Sequence, residues 1–235
     1  MPKGNGKTYL SVEEVEALEN AAKYLRDRLL VRVIFWSMIR VSEAVVLRVE
    51  DIDFDQGTLT IQHLKTRTRI LCPYCQTRLS RAAKFCPGCG KEVPEPVKMQ
   101  QEEHKIRTLP VDGKTLALLR EFVEGAPRIQ RDGGGLIFRI GRVQAWRIIH
   151  DLAEKAGVGP LVNPATGETR GVSPHRLRDA HATLMVQKDD STDSIRMLQE
   201  HLGHASIATT MRYRKVGGKE HQDWYRRMTA DQVAT

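Results

Sequence analysis

Leu202-Gly203-His204 precedes Tyr213 by nine residues, counted from His204, and a tetrad His175-Arg176-Leu177-Arg178 stands upstream. These residue types suit covalent attack on a phosphodiester. A phenol supplies the nucleophile, while imidazole and guanidinium groups hold the phosphate. A free tyrosine has a pKa near ~10, so about one part in a thousand is phenolate at neutral pH. A positioned base and nearby positive charge must therefore favour its deprotonation. His175 and the arginines are suited to that, and guanidinium donors match phosphate oxygens bidentately in a way lysine does not. Two arginines make a catalytic metal unnecessary. The product would be a 3′-phosphotyrosine with a free 5′ hydroxyl, which preserves the phosphodiester energy for rejoining. Each residue alone also has a structural reading. Arg40 could pair with Glu43 at a helix end, His175 could cap, His204 could pack after a turn, and Tyr213 could be half-buried.

The four cysteines fall in two pairs, Cys72-Pro73-Tyr74-Cys75 and Cys86-Pro87-Gly88-Cys89. Each C-x-x-C turn can aim two thiolates at one point, and two turns supply the sulfurs of a tetrahedral structural zinc site. Redox thiols and a rubredoxin-like iron site are the alternatives. From Lys65 to Lys91 there are seven basic residues (Lys65, Arg67, Arg69, Arg78, Arg81, Lys84 and Lys91) and no acidic one. A metal-stiffened basic loop beside a phosphate-handling site suits contact with a DNA backbone, and a solvated spacer or a protein contact are the other readings. Lys105, beyond it, joins the candidate DNA contacts. The return through Glu92, Pro94, Glu95, Pro96, Glu102 and Glu103 reads as flexible and acidic.

The elements that must position these groups are mostly helical. Ser11 and Glu14 form a capping-box pattern, followed by apolar residues at helical spacing: Val12, Val15, Leu18, Ala22 and Leu25. The run from Leu29 to Met38 suits a buried helix and leads into Arg40. Asp53 to Gly57 supplies turn chemistry, after which Thr58–Gln62 and Ile106–Leu109 alternate as strands, with the cysteine segment in an enlarged loop between them. Further helices are expected from Asp112 to Phe122 and from Arg142 to Ala156, with a loop from Gly125 to Gly135. Ser173-Pro174 opens another helix that puts His175 and Arg178 on one face. A helix around Ile195–Leu202 ends at Gly203, and another begins near Ser206.

With 235 residues, 40% of them hydrophobic, the chain can bury one good core. Thirty-seven Lys and Arg against 29 Asp and Glu give a net charge of +8, which favours a polyanionic partner. No apolar run approaches the roughly 20 residues of a membrane span, and the first residues lack a signal's apolar core, so a cytoplasmic, nucleoid-associated protein is expected.

Arg40-Val41-Ser42-Glu43, a strand lysine, His175-x-x-Arg178, Leu202-Gly203-His204 and Tyr213 together resemble the catalytic domain of the tyrosine recombinase (phage integrase) family. The resemblance runs from about Leu10 to Tyr213, apart from the cysteine insertion. It implies an α+β fold, mainly helical, with a small antiparallel sheet and a zinc-knuckle insertion in the β-hairpin. Residues 8–235 would be the catalytic domain and 70–92 the zinc-ribbon-like insertion, with the family's N-terminal core-binding domain expected to be absent. Tyr213 would be the nucleophile, Arg40 and Arg178 the phosphate clamp, His175 the manager of the tyrosine proton, and His204 a donor to the phosphate. Lys65, at the end of the second strand, would protonate the departing 5′ oxygen, with Lys105, Arg67 or Arg69 as realigned alternatives.

Two positions depart from the family pattern. Met38 stands where a glycine is usual, and Asp179 stands where a histidine is frequent and would draw Arg178 toward itself. The implied activity is site-specific recombination of duplex DNA by a homotetramer across two sites. A type IB topoisomerase-like relaxing enzyme and an inactive zinc-stabilised DNA-binding protein are the alternatives. A C-terminal helix over residues 221–233 would dock on a neighbouring protomer or back on its own domain.

Overall fold

Ser11 opens the first helix as its sequence requires. Its backbone N–H donates to Glu14 Oε2 at 3.0 Å and its hydroxyl oxygen accepts from the Glu14 N–H at 3.3 Å, which completes the capping box. In this computed structural model the described residues are 7–80, 83–94, 97–125, 135–163, 166–214 and 226, with the backbone alone described at 63–69 and 97–105. The expected loop at 126–134, Glu95 and Pro96 of the acidic return, Arg81 and the tail helix at 221–233 lie outside the described residues, apart from Arg226.

The chain forms two compact units. Met1–Leu59 with Leu109–Thr235 make the first, and Thr60–Thr108 the second. The second is wider than the expected insertion at 70–92.

In the first unit, α1 (Val12–Ala21) packs on α2 (Leu25–Trp36), whose residues from Leu29 to Phe35 are all buried. That burial includes Arg32, a charge that cannot stay unpaired in a core. It meets both oxygens of buried Glu19 at 3.1 and 3.0 Å and Asp112 at 2.9 Å. One guanidinium thus ties α1 and α2 to the residue just ahead of α4 (Gly113–Gly125). The short α3 (Val41–Ala44) begins right after Arg40. Helix α5 (Arg142–Lys155) and helix α6 (Pro174–Lys188) close around α2. Ser173 caps α6 by accepting from the Arg176 N–H, with Pro174 in the first turn as expected. On the same helix, His181 donates from Nδ1 to the Phe35 carbonyl at 2.9 Å and stacks on the Phe35 ring, locking α6 to α2.

Helix α7 (Thr192–Leu202) is capped by Ser191 and ends at Gly203, whose φ of 64° is the left-handed stop that glycine takes at little cost. It leads to α8 (Ile207–Thr210) and a 3₁₀ turn over Met211–Tyr213. No helix among the described residues is long and apolar enough to cross a membrane.

Strand β2 (Thr58–Leu71) lies between β1 (Ile52–Asp53) and β3 (Val97–Pro110), and β4 (Leu161–Val162) pairs antiparallel with β5 (Thr169–Arg170). The β1–β2 pairing is also antiparallel, with Ile52 opposite Leu59. The intervening turn is the expected one: Asp53 Oδ1 accepts from the N–H groups of Asp55 and Gln56.

The two long strands correct the sequence reading. Each runs 14 residues, so Lys65 falls inside β2 and not at its end, and residues 97–103 belong to a strand where a flexible acidic return was expected. The polar sequence Lys98 to Lys105 lacks the apolar alternation that announces a strand. Ladder hydrogen bonding satisfies its backbone regardless of side-chain type.

Candidate functional site

Tyr213 comes to the site from the 3₁₀ turn, with only 8% of its surface exposed. Its hydroxyl donates to Asp179 Oδ1 on α6 at 2.7 Å, and its ring lies nearly parallel to that of His204 with centroids 6.2 Å apart. Burial foremost, and then the Asp179 charge and hydrogen bond, push the phenol above the ordinary tyrosine value, while Arg178 and Arg212 pull it back.

His204 follows the Gly203 turn. Its Nδ1 lies 2.9 Å from Oγ1 of buried Thr210, and the Gln199 amide donates to its backbone carbonyl at 3.1 Å. Burial first, then the cations Arg178, Arg40 and Arg212, pull its pKa down to about 4, which leaves the ring neutral at neutral pH.

The two arginines are organised by one acid. Arg178, almost fully buried, donates from Nη2 to the Leu202 carbonyl at 2.7 Å, and its Nη1 lies 3.8 Å from Glu43 Oε2. Arg40 approaches the same carboxylate from the start of α3, its backbone N–H donating to Oε2 at 2.8 Å and its guanidinium to Oε1 at 3.0 Å. In the sequence Glu43 is visible within the Arg-x-Ser-Glu pattern, yet nothing there marks it as a site residue. Burial of a carboxylate three residues from an arginine is a feature that only the packing reveals.

Asp179 does not draw Arg178 toward itself. Neighbouring residues on a helix point in different directions, so their side chains do not face each other. Asp179 instead accepts the Tyr213 hydroxyl at Oδ1 and pairs through Oδ2 with Nε2 of His175, one helical turn away at 3.3 Å. His175 is largely exposed.

Met38 has φ 48°, the left-handed region that favours glycine. The backbone turn ahead of Arg40 is therefore one that a glycine would adopt readily. Its side chain is buried with Ala182, Leu198, Leu202 and Tyr213, among others. Strain on the order of 1–3 kcal/mol is offset by burial of a methionine side chain, about 1.5–3 kcal/mol.

Tyr213, Asp179, His175, Arg176 and Arg212 line a cavity of about 840 Å³ together with the exposed Trp146, which stacks on His150. Arg176 and Arg212 are site residues that the sequence reading misses. Their nearness to His175 and Tyr213 in the chain is the available signal. Buried Tyr213, Arg178 and Glu43 with half-buried Arg40 and His204 form a cluster whose cations could hold an anion beside a phenol that could act as nucleophile. Lys65, Arg67 and Arg69 lie on β2 and Lys105 on β3 of the second unit, where the backbone alone is described.

The second unit carries its own site. Cys72 Sγ lies 3.7 Å from Cys89 Sγ, Cys75 Sγ lies 3.4 Å from Cys86 Sγ, and all four sulfurs fall within 4.8 Å of one another. A tetrahedral ion with metal–sulfur bonds of about 2.3 Å sets sulfurs about 3.8 Å apart, so the donor set fits such an ion. The two knuckles repeat each other with an offset of 14 residues. Cys72 N–H donates to the Thr77 carbonyl as Cys86 does to Lys91, and Gln76 donates back to Cys72 as Gly90 does to Cys86. Leu79 donates to Ile70 as Val93 does to Lys84. Gln76 and Gly90 share a positive φ, 58° and 70°. Tyr74 and Gly88 each turn a backbone N–H on a cysteine sulfur, Cys72 and Cys86. Leu79 and Val93 pack with the two buried cysteines into a small apolar cluster. Arg78 and Lys84 are exposed.

The chain is similar to known proteins in sequence and in fold. The chain is 28% identical to tyrosine recombinase XerA of Pyrococcus furiosus over 212 residues, 89% of this chain and 58% of that protein. It is 29% identical to tyrosine recombinase XerD of Mycobacterium leprae over 225 residues, 87% of this chain and 55% of that one. The chain thus spans a little over half the length of these curated relatives. A crystal structure of XerA recombinase matches the fold with a TM-score of 0.63 at 22% identity, covering 96% of this chain and 66% of that one. The XerH site-specific recombinase bound to difH substrate, in a pre-cleavage complex, matches with a TM-score of 0.56 at 19% identity, covering 88% and 50%. These solved structures carry the mainly helical fold with small sheets. The model of the phage integrase family matches residues 8–220, and the chain belongs to that family.

Proposed function

We propose that this chain is the catalytic part of a site-specific DNA recombinase, cutting and rejoining duplex DNA through a 3′-phosphotyrosine on Tyr213. The observation that carries the reading is the meeting of Tyr213 and His204, rings nearly parallel, beside Arg178 and Arg40, whose guanidiniums share the Glu43 carboxylate. Relatives named as tyrosine recombinases, and a site-specific recombinase of similar fold solved on its difH substrate, support it.

In this reading Arg40 and Arg178 hold the non-bridging oxygens of the scissile phosphate, where negative charge grows in the transition state. His204, neutral and fixed by Thr210, donates from Nε2 to the same phosphate. Tyr213 Oη attacks phosphorus, and the departing 5′ oxygen takes a proton from Lys65, with Lys105 as the other candidate. His175 acts on the proton side of Tyr213. Rejoining reverses the steps, so no ATP and no catalytic metal are required. The partner is duplex DNA in the cytoplasm or nucleoid, and a homotetramer across two sites would perform the exchange.

Cys72, Cys75, Cys86 and Cys89 would hold a structural zinc ion, which when bound ties the two knuckles together. Arg78, Arg81 and Lys84 on that unit, together with Arg67, Arg69 and Lys105, are the proposed backbone contacts.

Nicked suicide duplexes with a randomised centre test the reading. A covalent protein–DNA species should form on a subset of sequences and disappear in Tyr213→Phe. DNA that is retarded but never covalently bound would instead support a binding protein without catalysis.

A further inference from the structure

We propose that Asp179 is the base that takes the phenolic proton of Tyr213, and that it passes this proton outward to His175. The inference rests on the reading of Tyr213 as nucleophile. Its geometric basis is a chain of three groups: Tyr213 Oη donates to Asp179 Oδ1 at 2.7 Å, and Asp179 Oδ2 faces His175 Nε2 at 3.3 Å. The inner end is buried and the outer imidazole is 73% exposed, so the proton has a path from the reacting oxygen to solvent. The structure thus puts a carboxylate between His175 and the phenol.

A carboxylate is a weak base against a phenol. Complete transfer before attack would be unfavourable by about a millionfold. Transfer is therefore coupled to bond formation: as Oη bonds to phosphorus its proton becomes strongly acidic, and a carboxylate already in hydrogen-bond contact accepts it. The balance closes. The Oη–P bond forms, the P–O5′ bond breaks with its electron pair on O5′, and O5′ takes a proton from the lysine named above. The phenolic proton passes to Asp179 Oδ1, and Asp179 in turn protonates His175 Nε2 through Oδ2. In rejoining, the lysine recovers its proton from the incoming 5′ hydroxyl, and the proton on His175 returns through Asp179 to Tyr213. Nothing is oxidised or reduced.

Charge also favours this arrangement. An anionic Asp179 beside the diester repels it, and protonation removes that repulsion when the phosphate gains charge. The charged and titratable groups facing the pair include Arg178 and His175 from α6, Arg212 from the 3₁₀ turn and His204 from the turn before α8, and Arg40 at the start of α3 acts in turn on His204. Burial and Asp179 together hold the phenol protonated at rest, so a dedicated acceptor is needed.

The test uses the full chain and the duplex enriched from the randomised pool, with a 5′-bridging sulfur at the scissile phosphate so that the leaving group needs no acid. Asp179→Asn keeps size and can still accept from Tyr213, but cannot take its proton. Cleavage should fall about 100-fold at pH 7, in the range of general-base contributions, and should climb with pH up to about 9 as hydroxide substitutes. DNA affinity should stay the same or rise, because a negative charge has gone. A purely structural role would weaken both. Asp179→His, which restores a proton acceptor, should recover activity to within about tenfold, and this variant decides the matter if Asp179→Asn folds poorly. Cleavage by Asp179→Asn within threefold of the parent with the same pH profile, or by Asp179→His no better than by Asp179→Asn, overturns the proposal while leaving Tyr213 as nucleophile. Absence of any adduct from the parent chain defeats the recombinase reading, and this proposal with it.

Discussion

The Glu43 carboxylate engages Arg40 twice, accepting its backbone N–H at 2.8 Å and its guanidinium at 3.0 Å, while remaining buried itself. The same carboxylate faces Arg178 at 3.8 Å. Taking away the acid removes the carboxylate that faces buried Arg178, and breaking such a pair costs about 3–5 kcal/mol. Glu43→Ala should therefore lose about that much stability in urea unfolding. Glu43→Gln, which keeps the shape, should lose less, yet still slow adduct formation because Arg40 is no longer held by charge. Wild-type stability and rate in Glu43→Ala would remove Glu43 from the site's support.

The Thr210 hydroxyl is placed to set the tautomer of His204. If its hydroxyl donates to Nδ1, the proton of the neutral ring must sit on Nε2, where it can serve the phosphate. Thr210→Val should lower the cleavage rate about tenfold, in line with loss of one oriented donor, and Thr210→Ser should retain it. Equal rates for both variants would separate Thr210 from the function of His204.

His204 also leaves a mark on stability. Its pKa of about 4 in the folded chain lies below the ordinary histidine value of about 6.5. Between those two pH values the unfolded chain binds more protons than the folded one, so stability declines as pH falls through that window. Melting temperatures measured from pH 7 to 4 should fall less steeply in His204→Gln than in the parent. Parallel curves would contradict the assignment.

If Cys72, Cys75, Cys86 and Cys89 hold the proposed zinc ion, their unit should depend on it. Stripping zinc with a strong chelator, or Cys72→Ser, should unfold residues 60–108 while the first unit keeps its own melting transition, since the small apolar cluster of Leu79 and Val93 is too slight to replace the ion. Atomic absorption should give about one zinc per chain beforehand. A metal-free chain with unchanged hydrogen exchange across this unit would refute the ion's structural role.

Helix starts and stops are plain in the sequence because they rest on local chemistry. Ser11 with Glu14, Ser173 with Pro174, and Gly203 each act within four residues. The two knuckles are legible for the same reason, their spacing being local. Long strands are not, because β2 and β3 carry polar residues through much of their length and their pairing is between distant segments. The site is legible by residue type and order, whereas its wiring is not. Asp179 and Tyr213 are 34 residues apart, and nothing in either segment announces that a carboxylate will meet the phenol. Met38 shows the converse, a backbone conformation suited to glycine kept by a residue whose side chain fills the cluster behind Tyr213.

Exposed Arg78 and Lys84 offer a graded measure of DNA binding by the basic loop. If both touch phosphates, replacing them with alanine should weaken binding evenly across sequences and reduce the salt slope by about one for each side chain replaced. An unchanged slope would make the basic loop a solvated face.

Peptide mapping of the covalent product identifies the residue that attacks the phosphate. After nuclease and protease digestion of the trapped protein–DNA species, mass spectrometry should find the nucleotide remnant on Tyr213 through its 3′ phosphate, with a free 5′ hydroxyl on the other strand end. A remnant on any other residue, or an adduct that persists in Tyr213→Phe, would contradict the account.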